Sequence, residues 1–73
     1  MNIIFKNEIL KELQSKDLDN GWMDTNLKST KNLSTAQRRN LIFELEREGK
    51  IVIKRTPNIN DDNFPIIIIN CSK

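Results

Sequence analysis

Residues 33–51 read LSTAQRRNLIFELEREGKI, and this stretch decides the fold. Ser34-Thr35-Ala36-Gln37 fits a capping box, in which the serine hydroxyl satisfies a free first-turn amide and the glutamine reaches back to the cap. Leu41, Ile42, Leu45 and the stem of Glu48 then fall on one helical stripe. Gly49 ends the helix where a left-handed residue is wanted. Downstream, Ile51-Val52-Ile53 is a β-branched run, and Pro57 to Asn63 is a loop by composition. Phe64 and Pro65 lead into the second β-branched run, Ile66 to Ile69. Two strands joined by a polar loop predict a β-hairpin.

Upstream, Phe5, Ile9, Leu10 and Leu13 recur at helical spacing, with Lys6, Lys11, Glu12 and Gln14 on the other face. They predict a first helix over about Asn7–Ser15, starting as early as Asn2. Asn20-Gly21 is a stop signal, because both residues tolerate positive φ. Trp22 and Met23 read as a short apolar link. Asp24 and Thr25 are good N-caps for a short second helix from about Asn26 to Thr30, with Leu27 as its one strong apolar anchor. The expected architecture is a single domain over residues 1–73, mainly α with a β-hairpin (α+β), in the order α-α-α-β-β.

A chain of 73 residues holds one domain with a thin stability margin. Cys71 is its one cysteine and it has no histidine, so an internal disulfide is impossible and a zinc site has no ligand set. Met1 to Phe5 is apolar but too short, and too soon followed by charge, for a secretory signal. Ile66 to Ile69 is far too short to cross a bilayer. These features predict a soluble chain without a membrane partner. The lone thiol fits a reducing compartment, the cytoplasm or nucleoid. Eleven Ile and ten Asn against two Gly and one Ala suggest an AT-rich genome.

The net charge of +2 is unevenly spread. Residues 1–24 balance to −2, residues 25–56 to +5 and residues 57–73 to −1. Between residues 25 and 43 stand Lys28, Lys31, Arg38 and Arg39 with no acid. Such a block suits a polyanion, since each neutralised phosphate releases a counterion. Chance clustering on a solvated surface is the other reading.

The element order and the 33–51 segment resemble the winged helix-turn-helix superfamily. Many bacterial and archaeal regulators carry a similar Leu-Ser-x-x-x-Val-x-x-x-Leu-x-x-Leu-Glu-x-x-Gly-x-Ile pattern. It is matched here at Leu33, Ser34, Ile42, Leu45, Glu46, Gly49 and Ile51. The resemblance implies a three-helix winged helix-turn-helix whose third helix enters the major groove of double-stranded DNA. Carried over by position, Thr35, Ala36, Gln37, Arg39 and Asn40 would face bases, and Arg38 would add charge near the groove. Arg can pair with guanine, Gln and Asn with adenine, and Ala with a thymine methyl. Equally, Gln37 can be only a cap and Asn40 only solvated. Lys28, Lys31, Lys54 and Arg55 would hold phosphates.

Three departures from the pattern matter. Arg38 stands where the superfamily usually places a buried Val, so it is expected to snorkel toward solvent or backbone. Phe43 lies where a polar residue is usual, and is either covered by the wing or the N-terminal segment or part of an interface. The wing tip carries Asp61 and Asp62 and no cation, so it should not enter a minor groove. Strand alternation puts two of Ile66, Ile67, Ile68 and Ile69 on each face. The face turned away from the helices invites a second subunit, a protein partner, or cover by residues 1–5.

No activated nucleophile, metal set or Gly-rich phosphate loop is present in the sequence, so neither enzyme activity, a cofactor nor a small-molecule substrate is expected. The leading expectation is a sequence-specific duplex-DNA-binding regulator or accessory factor of a virus or mobile element. The alternative is a winged-helix module that docks on or inhibits a replication, transcription or host-defence complex. Single-strand binding would normally use more stacked aromatics than Trp22 and three Phe supply.

Overall fold

A computed structural model describes residues 2–72, without the side chain of Asn2. Helix α1 (Asn2–Gln14) is followed by the short strand β1 (Trp22–Met23) and a turn of 3-10 helix over Asp24–Asn26. Helix α2 (Thr35–Arg47) and strands β2 (Ile51–Ile53) and β3 (Ile67–Cys71) complete the fold. The sheet is antiparallel with order β1-β3-β2. The architecture is α+β, with both helices packed on one face of the sheet.

This corrects the expected three helices followed by a two-stranded hairpin. The second helix is absent because its intended cap is engaged elsewhere. Asp24 is buried, its Oδ1 accepting from the Ile66 amide and its Oδ2 from Arg38 Nε, each at 2.9 Å. Leu27 is extended. Glu12 of α1 then accepts from the amides of Lys28 and Ser29 at 2.8 and 2.9 Å. That leaves residues 28–33 as successive turns closed by Lys31 N to Lys28 O and Leu33 N to Thr30 O.

The supposed link Trp22-Met23 is instead a third strand, with Trp22 opposite Ile68 and Met23 opposite Ile67. Gly21 admits the chain to it. Its φ is +83°, and a Cβ there would stand 2.5 Å from Cγ2 of Ile67, so the position excludes a side chain on both counts.

Helix α2 follows its sequence closely. Ser34 Oγ accepts from the Gln37 amide, and Gln37 Oε1 accepts from the Ser34 amide. Gly49 takes φ +77°, and the Lys50 amide reaches back to Leu45 O. Ile9 and Leu13 of α1, Leu41, Ile42 and Leu45 of α2, and Ile51, Ile53, Ile66 and Ile68 form the core, with Leu27. Alternation along the last strand sends Ile66 and Ile68 inward, while Ile67 is half-buried and Ile69 exposed. Ile66 and Ile68 are therefore core residues and not part of an outer interface. A β-bulge at Ile69, which falls between the partners of Val52 and Ile53, bends the β2–β3 pair.

Candidate nucleic-acid interface

Helix α2 presents three surfaces. Its inner face is the core stripe. One flank meets α1, where Lys6 Nζ reaches Glu48 Oε2 at 2.6 Å and Glu44 Oε1 at 3.4 Å. The other flank meets the loop between β2 and β3. Between these flanks runs an outward ridge of exposed residues, Ala36, Gln37, Asn40 and Arg47. The ridge is roughly 16 Å long at 1.5 Å per residue.

Arg39 does not stand on that ridge. It is 5% exposed and reaches sideways into the loop. Its guanidinium donates to the carbonyl oxygens of Phe64, at 3.1 Å, and Ile59, and its Nε lies 3.2 Å from Asp62 Oδ1. The expected base-reading arginine is thus the anchor of the β2–β3 loop. The ring of Phe43 packs in the same seam, 5.7 Å from the Arg39 guanidinium and 6.0 Å from that of Arg55. Phe43 is half-buried there, flanked by these two guanidinium groups. Arg55 is tied to Glu46 through Nε at 3.1 Å and through Nη2.

Arg38 turns inward to Asp24, not to solvent or backbone. Lys54 alternates with the buried Ile53 and so shares the outer face of the sheet, away from α2. Of the expected phosphate and base contacts, the structure brings together Lys28, Lys31, Thr35, Ala36, Gln37 and Asn40, all exposed. It leaves Arg38, Arg39, Lys54 and Arg55 elsewhere. Arg47 joins the ridge instead. Its seven-residue spacing from Asn40, two helical turns, is the signal that would have found it.

The electrostatics favour the N-terminal end of α2. Among the described residues no carboxylate lies within 4.0 Å of the ammonium groups of Lys28 or Lys31. Both precede the positive end of the helix dipole. Burial works to raise the Glu12 pKa, but the Lys28 and Ser29 amide donations outweigh it and hold the carboxyl below its ordinary range. Glu12 thereby stays ionised and fixes the turn that carries the two lysines.

An open cleft of about 470 Å³ lies along the loop side of α2, lined by Asn40, Phe43, Arg47, Arg55 and Asn60 together with Glu44 and Glu46. Its two glutamates make it a poor cradle for an anion. Among the described residues there is no group of three His, Cys, Asp or Glu side chains placed to hold a metal. No helix is long and apolar enough to cross a membrane.

Compared with known proteins, the chain matches no family model, no curated protein and no solved structure.

Proposed function

We propose that this chain binds double-stranded DNA, with the outward ridge of α2 in the major groove and the 28–33 turn against flanking phosphates. The observation that carries the reading is the pairing of an exposed, acid-free helix start with two lysines before it that have no carboxylate within 4.0 Å among the described residues. The major groove is about 12 Å wide and admits one helix. Asn40 supplies the bidentate donor and acceptor that adenine presents, Ala36 suits a thymine methyl, and Arg47 can reach a guanine. Gln37 Oε1 is committed to the cap, so only its Nε2 is offered to a base. Lys28 and Lys31 position the helix without reading sequence. The β2–β3 loop, acidic at Asp61 and Asp62, stays outside the grooves.

On this reading the chain is a small transcriptional regulator or accessory factor of a virus or mobile element, acting in the cytoplasm or at the nucleoid. The unpaired thiol of Cys71 suits that reducing setting. It rests on the surface of α2 and not on a three-helix arrangement.

The test is fluorescence anisotropy with mixed-sequence duplex and with single strands of the same sequence. Duplex should be preferred, and its affinity should fall about ten- to a hundred-fold between about 50 and 200 mM salt if two to four phosphates are contacted. Equal binding of single strands would argue against a helix seated in a groove.

A further inference from the structure

The sheet face turned away from the helices is apolar along its middle. Met23 is 39% exposed, Val52 49% and Ile69 41%, and Ile67 lies half-buried beside them. The two rims of this face differ in charge. On the β2 side, Lys50 and Lys54 alternate with the buried Ile51 and Ile53, so both point outward with Val52. On the opposite side β1 pairs only with Ile67 and Ile68. Beyond it the 16–19 turn, with Asp17 and Asp19, lies beside Ile69 and Asn70. Lys16 of that turn rests over the Trp22 ring at 5.0 Å, leaving the rim with one net negative charge. No carboxylate among the described residues lies within 4.0 Å of Lys50 or Lys54, though Lys50 is near enough to Glu48 to help keep that carboxyl low.

We propose that this face is the interface of a homodimer, with two copies related by a two-fold axis running along β3. Such an axis exchanges left and right across the sheet while preserving height along the strand. It therefore lays the basic rim of each copy over the acidic rim of the other, twice. Ile67 and Ile69 meet their own counterparts on the axis, with Val52 and Met23 packed to either side. Lys50 stands beside the end of β3, where the Ser72 amide donates to its carbonyl at 2.7 Å, and Asp17 and Asp19 flank Ile69, Asn70 and Cys71 toward that same end. A partner with uniform charge would match one rim and oppose the other, whereas a second copy matches both. The proposal uses the sheet and not α2, so it stands or falls independently of DNA binding.

Sedimentation equilibrium on the full chain from about 10 µM to 1 mM tests it. The wild type should dimerise, and Ile69→Lys should sediment as a monomer while keeping its far-UV circular dichroism. Asp19→Lys and Lys50→Asp should each weaken the dimer about ten-fold, since each disrupts two symmetry-related surface pairs. The combined charge exchange should recover the wild-type constant to within about three-fold. A wild type that stays monomeric throughout overturns the proposal. So does a dimer indifferent to Ile69→Lys, or a combined exchange no better than the single reversals.

Discussion

Arg38 Nε donates to Oδ2 of Asp24 at 2.9 Å, joining the first turns of α2 to the turn that follows β1. Asp24 is 1% exposed and also accepts from the Ile66 amide, so one carboxylate ties together helix, turn and central strand. Breaking a buried pair strands a charge, typically at about 3–5 kcal/mol. Asp24→Ala should lower stability in urea unfolding by an amount in that range. Asp24→Asn, which can still accept from Ile66, should lose less. Equal losses would mean that the Ile66 bond contributes nothing.

Arg39 should behave as a structural residue. Hydrogen bonds from a charged group contribute about 1.5–3 kcal/mol each, so Arg39→Ala should destabilise the fold by about 3 kcal/mol. It should also speed amide exchange across residues 57–64. Lysine, lacking the planar fork, should restore only part of the loss. An Arg39→Ala variant of wild-type stability with an unaltered loop would remove the anchoring role.

Acid should loosen the contacts of Glu12 and Glu48. The Lys6 hydrogen bond holds Glu48 below the ordinary glutamate value of 4.5, and Glu12 lies below it for the reason given above. A carboxyl whose folded pKa is depressed contributes stability that is complete above its unfolded value and disappears as pH falls through the folded one. The urea midpoint should therefore drop as pH falls below 4.5, and Glu12→Gln should flatten that slope. At the alkaline end, the Glu48 hydrogen bond raises Lys6 above 10.5. Its contribution is complete below 10.5 and is lost as pH climbs through the raised value. A midpoint constant from pH 7 to pH 3 would contradict the assignment.

The sequence made some elements legible and hid others for physical reasons. The Ser34–Gln37 box, the Leu41–Ile42–Leu45 stripe and Gly49 are local signals, and α2 runs between them as they predict. The isoleucine alternation likewise separates Ile66 and Ile68 from Ile67 and Ile69. Strand β1 was illegible because two residues carry no period; Trp22 and Met23 become a strand only because β3 has a second edge to fill. The second helix was overestimated because Asp24, a good cap in isolation, is engaged by Arg38 and Ile66, distant in sequence. The same long-range pairing misled the charge count. The acid-free block at residues 25–43 is real, but two of its four cations are neutralised by Asp24 and Asp62 from outside it, leaving Lys28 and Lys31 to carry its charge.

That division of charge gives the most direct measurement, the affinity of a labelled duplex at about 50 mM salt for wild type, Lys28→Glu/Lys31→Glu and Asp61→Asn/Asp62→Asn. All four positions are exposed, and the amide oxygen of Asp62→Asn can still accept from Arg39, whose bonds to Phe64 and Ile59 are untouched, so folding should survive and circular dichroism will verify it. If α2 enters the groove with the 28–33 turn on phosphate, the lysine reversal should cost at least about ten-fold, as both contacts turn repulsive. The loop change should leave affinity unchanged or slightly higher. Absence of duplex binding by the wild type at this salt, or full binding by the lysine reversal, would contradict the account.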